Sequence, residues 1–134
     1  MVIGGIAAGI VMNIVSAVAS NTLMSADQVD LARRLGMDPS MMDSGSALVP
    51  WILVDLLVGI LIVFTYAAIR PRFGAGPKTA LIAAGILFIG SSLIVYGFSS
   101  MGLMGHGAFV RGGITWVIGY GLAGLVGGFL YKEA

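Results

Sequence analysis

Cysteine is absent from the 134 residues and charge is scarce, with seven basic and six acidic side chains, 10% of the chain, and a single histidine. The first absence excludes disulfides, thiolate nucleophiles, iron–sulfur clusters and cysteine-ligated zinc. The second excludes an ordinary water-soluble surface, since about a quarter of the residues of a soluble domain are charged. A net charge of +1 leaves no basic footprint for nucleic acid and no acidic tail, so no nucleic-acid partner is expected. The lone His106 excludes any site that needs two imidazoles. Nucleophile–base pairs, phosphate loops and paired carboxylates are missing too. The sequence therefore points away from an enzyme, and no cofactor or metal is expected.

What is present is apolar: 58% hydrophobic residues and 21 glycines, with a mean hydropathy of +1.03. Residues 1–26, 56–69, 79–110 and 112–131 carry no charge at all. Uncharged runs of this kind read as membrane spans of about 20 residues each. Because they are continuous rather than alternating in segments of about 10, helices are favoured over a barrel. The expectation is an all-α polytopic membrane protein, one domain over 1–134 and a bundle of four transmembrane helices at about 2–23, 47–69, 77–98 and 109–131. The first run competes with a signal peptide, because Ala17-Val18-Ala19 imitates a cleavage site. No Lys or Arg precedes it, which favours a retained span.

The segment 24–46 joins the first two spans. Ser25 and Gln28 fit a capping box, Leu31 and Leu35 share a face, and Gly36 can stop a helix. Asp38-Pro39 marks a second start. One or two short interfacial helices are expected, with Met37, Met41 and Met42 turned toward lipid or the top of the bundle. Pro50 falls in the first turn of the second span, and Trp51 suits the headgroup boundary.

Orientation follows from the turn that carries Arg70, Arg72 and Lys78 without an acid. The positive-inside rule makes it a cytoplasmic anchor, with both termini cytoplasmic and the 24–46 segment outside. Arg111 lies on the opposite side and dissents.

The stretch Tyr66-Ala67-Ala68-Ile69-Arg70-Pro71-Arg72-Phe73-Gly74-Ala75-Gly76-Pro77-Lys78-Thr79-Ala80, preceded by a glycine-rich first span with Met12-Asn13, resembles a group of small four-span bacterial membrane proteins of unassigned function. That resemblance implies a bacterial cytoplasmic (inner) membrane and an independent four-helix unit. It carries no activity, ligand or catalytic residue. Length and span number also match the small multidrug exporters, but their essential acid lies in the first span, where this chain offers Asn13.

Asp55 is the ionisable group well inside a predicted span, and intramembrane acids normally face a bundle interior or water. Three readings stay open. Asp55 could be clasped by Arg111, reaching down from the far end of the fourth span, or by Asn13 at similar depth. It could exchange a proton or an ion. It could also be wet, if the span begins later than drawn. Small residues form stripes as well: Gly5, Gly9, Asn13, Ala17 and Ser20 on the first helix; Gly76, Ala83, Gly90 and Gly97 on the third; Gly119, Ala123 and Gly127 on the fourth, beside Gly124 and Gly128. Such stripes let backbones approach where lipid removes the usual hydrophobic drive. The doubled row on the fourth helix is expected to serve an intermolecular contact, with internal packing as the alternative. His106, among Met101 and Met104, could ligate copper or one axial position of a haem, or simply occupy a glycine-rich turn.

The leading expectation for function is a non-enzymatic accessory or scaffold subunit, with the lipid bilayer and other integral membrane subunits, or copies of itself, as partners. A small proton- or ion-coupled transporter or channel using Asp55, Asn13 and Tyr66 is the alternative. A redox, pigment or haem-binding subunit is a third.

Overall fold

The computed structural model describes residues 1–43 and 45–131, without the side chains of residues 42, 43, 46 and 47. Five α-helices follow one another: α1 Val2–Thr22, α2 Ser25–Arg34, α3 Gly45–Phe73, α4 Pro77–Ser100 and α5 His106–Leu130, with a short 3-10 helix, Pro39–Asp43, between α2 and α3. Four of them, α1, α3, α4 and α5, are long and apolar enough to cross a membrane, and the chain is a multi-pass membrane protein of the all-α class.

Local chemistry sets the ends of these elements. α3 runs past the expected stop at residue 69 and takes in Pro71. A proline so close to a C-terminus removes a single backbone bond, and the helix needs few more. Gly74 ends it at φ +83°, and Gly76 follows at φ +137°, both conformations that side-chain-bearing residues rarely adopt. Pro77 then opens α4 at a position where its missing N–H costs nothing. Pro50 lies deeper than expected, five residues after the start of α3. α5 begins at His106 rather than near residue 109, so His106 belongs to a first helical turn and not to a loop.

Both expected short helices form between the first two spans, with one correction. Ser25 is the first residue of α2 rather than its cap, and its N-cap, Met24, makes no side-chain capping bond, so the capping box is not built. The other signals hold: Gly36 stops α2 at φ +69°, and Asp38 Oδ1 accepts from Ser40 N at 2.9 Å and Ser40 Oγ at 2.8 Å. Those two bonds hold the Asp38 carboxyl below its ordinary range. Met37 and Met41 are exposed, as is Trp51. Met42's side chain and Lys132 lie outside the described residues.

Around the bundle α1 packs on α3 and α5, and α4 packs on the same two helices; α3 touches α5 across the middle, while α1 and α4 stand on opposite sides. The core joins Ala8, Met12, Ile62, Val63, Ala84, Tyr120 and Ala123. Large apolar side chains such as Ile3, Leu93, Ile94 and Phe129 point outward. In water that distribution would be inverted; in lipid it is the expected one, since hydrocarbon solvates them and close backbone packing holds the helices together.

One end of the bundle carries the basic turn. There Tyr66 packs edge-on against Tyr131 with centroids 5.6 Å apart, and its hydroxyl accepts the Gly76 N–H at 3.2 Å. Arg70 lies over the Tyr131 ring at 5.5 Å. Thr79 donates to Gly74 O at 2.8 Å. At the opposite end α2 lies across the bundle as a strap. Arg111 Nε bonds Asp27 Oδ2 at 2.7 Å, a contact between residues 84 apart, and Arg34 pairs with Asp30 while reaching Gly102 O at 3.4 Å.

Candidate functional site

The bundle's tightest seam is the crossing of α1 and α3. A Cβ on Gly9 would sit 2.6 Å from Leu56 Cα and 3.2 Å from Asp55 O, one on Gly5 3.0 Å from Ile60 Cα, and one on Gly59 2.7 Å from Gly5 O. Contacts this short need glycine on both helices, because backbone meets backbone there. Gly5 and Gly9 stand out in the sequence as half of a stripe; Gly59 does not, because it is an isolated glycine in an aliphatic run. Its spacing of four from Asp55 and three from Ile62 puts it on the buried row of α3, the one signal that would have found it.

One turn toward the strap end, the same seam becomes polar. Asn13 Nδ2 donates to Gly9 O at 3.1 Å within α1 and to Ile52 O at 3.3 Å on α3. Asp55 is 9% exposed, and the Ser16 hydroxyl of α1 lies near its carboxyl. Asp55 and Asn13 therefore lie on one seam, as expected, but the amide clasps α3 through a backbone carbonyl and not through the carboxyl. Asp55 is buried, so the reading that left it wet does not hold. Ser16 was missed, being a common small residue with nothing to distinguish it from Ser20.

Arg111 corrects the expectation more sharply. It does not reach Asp55; its guanidinium is half exposed and engaged with Asp27 on the strap. A basic residue near the start of α5 faces the headgroup region, and the nearby carboxylate of α2 is reached without drawing a charge into the bundle. The pairing holds Asp27 below the ordinary carboxylate range, with the Arg111 hydrogen bond as the main cause, opposed by partial burial. Among the described residues no basic side chain pairs with Asp55. Tyr66 stands apart from Asp55 on α3. Eleven residues separate them, about 16 Å along a helix, and the phenol hydroxyl is tied to Gly76.

The two small-residue rows of α5 are used inside the molecule. A Cβ on Gly119 would sit 3.3 Å from Met12 Sδ, Ala123 is fully buried, and a Cβ on Gly127 would sit 3.1 Å from Ala8 Cβ and 3.2 Å from Gly4 O, all on α1. A Cβ on Gly124 would sit 2.8 Å from Ala84 Cβ and 3.0 Å from Ala80 O, and one on Gly128 2.9 Å from Ala80 Cβ, all on α4. The doubled row exists because α5 has two close neighbours, so these glycines are not the expected intermolecular face. α4 shows the reverse. Ala83 is buried, but nothing lies within 4 Å of a Cβ on Gly85, Gly90 or Gly97. Only 11% of α4's most apolar stretch is buried, against 33% for α1 and α5. On the other flank of α4 from Gly90 and Gly97, a shallow groove of about 100 Å³ runs between α4 and α5, lined by Ala84, Gly85, Phe88, Val117, Tyr120 and Gly121. Ser91 and Tyr120 share a hydrogen bond of 2.8 Å that ties the two helices together at that level.

His106 sits against Phe109 with ring centroids 6.2 Å apart. Among the described residues no group of three or more histidine, aspartate or glutamate side chains is gathered as for a metal ion. No protein-family model matches the chain, and no curated protein or solved structure is significantly similar to it.

Proposed function

We propose that this is a non-enzymatic integral membrane protein that works through helix packing, as an accessory or scaffold subunit of a larger membrane assembly or as a homo-oligomer. The observation that carries the reading is the open half of α4, where Gly90 and Gly97 meet nothing in this chain, whereas Gly5 and Gly9 of α1 and Gly119, Gly124, Gly127 and Gly128 of α5 all have close neighbours. Small residues without an internal neighbour allow another helix to approach closely in lipid. Replacing Gly90 and Gly97 together by leucine should leave the monomer folded, because the added side chains enter open space, while the assembly falls to smaller mass on a native gel. An unchanged assembly would remove this face from consideration.

The basic turn with Arg70, Arg72 and Lys78 supports a bacterial inner-membrane orientation with both termini cytoplasmic. Single cysteines at Ala75 and Ala26 should then react with an impermeant thiol reagent from opposite sides. Labelling of the Ala75 position from outside intact cells would reverse the topology.

A second reading, proton or ion exchange at Asp55, is favoured by one observation: a buried carboxyl in a span with no basic partner among the described residues. If Asp55 only clasps α1 to α3, vesicles containing the protein hold a proton gradient and Asp55→Asn assembles like the parent. Asp55→Leu then weakens the fold modestly, by roughly 0.6 kcal/mol, the average for membrane hydrogen bonds. A gradient dissipated by the parent and held by a folded, assembled Asp55→Asn would establish the second reading instead.

A further inference from the structure

Among the described residues, the end of the bundle opposite the strap carries charge of one sign. Between Asp55 and Glu133 the sequence has no acid, yet Arg70, Arg72 and Lys78 fall within nine residues; Glu133 lies outside the described residues. The turn that presents them is held in place. Gly74 and Gly76 take positive φ, the Tyr66 hydroxyl accepts the Gly76 N–H, and Thr79 bonds back to Gly74 O and Phe73 O. On this anchored turn Arg72 and Lys78 are exposed, and Phe73 between them is 56% exposed.

Depth adds a second constraint. The apolar part of α3, Leu48–Phe73, is 26 residues long, which corresponds to about 39 Å of helix, longer than the roughly 30 Å hydrocarbon core and close to the full thickness with headgroups. Trp51, 68% exposed, marks the boundary at the other end. Arg72 and Lys78 then stand at phosphate depth, with the Phe73 ring at the edge of the acyl region.

We propose that this turn is a binding surface for the headgroups of anionic phospholipids, with Arg72 and Lys78 as the phosphate-facing cations and Phe73 as the apolar contact beneath them. The inference is independent of the α4 face. Juxtamembrane basic residues each contribute enough attraction to an anionic surface to change binding roughly five-fold. The occupant is a lipid and not a soluble phosphate, because the cations flank an exposed aromatic at the membrane boundary.

The test is native mass spectrometry of the protein released from micelles doped with equal amounts of phosphatidylglycerol and phosphatidylcholine. The parent should retain phosphatidylglycerol in preference to phosphatidylcholine, and Arg72→Gln/Lys78→Gln should lose at least a five-fold share of that preference at unchanged thermal stability. Arg33→Gln, which removes an exposed charge from the strap end, should keep it. Equal retention of the two lipids by the parent, or a preference that survives the double substitution, would overturn the proposal. Displacement of the bound lipid by millimolar glycerol phosphate would overturn it in favour of a site for soluble phosphates.

Discussion

Gly59→Leu should be the most damaging single substitution in the bundle. A Cβ at this position would lie 2.7 Å from Gly5 O and even closer to the backbone of Gly9, so the obstruction is main chain that no rotamer change relieves. Ordinary overpacking costs about 1–3 kcal/mol because side chains and backbone can shift a little. Here the relief must come from separating α1 from α3, which also breaks the Asn13 bond to Ile52 O and the Asp55 contact with Ser16. The expected result is a large fall in melting temperature in mild detergent, with Gly59→Ala already clearly destabilised. Gly113→Leu is the matched control, since nothing lies near a Cβ there, and it should melt with the parent. If Gly59→Leu melts with the parent as well, α1 and α3 do not cross at this point.

Gly127→Leu should come next. Three helices meet at this residue, with Ala8 and Gly4 of α1 on one side and Val63 of α3 on the other. Val63 is among the largest fully buried side chains, so a new side chain competes with the core itself. Gly124→Leu should behave similarly against Ala80 and Ala84 of α4. Both variants should lose thermal stability as monomers. That distinguishes internal packing from an association stripe, for which the monomer would remain as stable as the parent and only the assembled mass would change. A stable, folded Gly127→Leu monomer would return α5 to the role of an outer face.

Much of this architecture was legible because lipid imposes a simple rule: long uncharged runs become helices, and glycine, proline and charge mark the places where they end. The spans, the strap helices and the basic turn follow from that rule, with α3 overrunning through Pro71 because a proline in a last turn costs little. The partners of the polar residues were not legible. Arg111 could be placed near the outer end of its helix, but whether it turned inward to Asp55 or outward to Asp27 depends on where α2 lies, a tertiary matter that span prediction leaves open. The doubled row of α5 was visible, yet a row records that a helix makes close contacts and does not say with which neighbour. Gly59 was invisible for the opposite reason: a crossing needs one small residue at the point of contact, and a single glycine makes no stripe. Helix pairing, not helix identity, separates what was read from what was missed.

The central claim is that the open face of α4 is covered by another helix in the native membrane. It is tested most directly by native mass spectrometry of the unsubstituted protein extracted gently from membranes. The account predicts a mass above that of one chain, from further copies or from companion integral membrane subunits, in which α4 cross-links through a photoreactive residue placed at Gly90 or Gly97. A single chain of 13.8 kDa carrying lipid alone, with cross-links from those positions reaching only lipid, would contradict it.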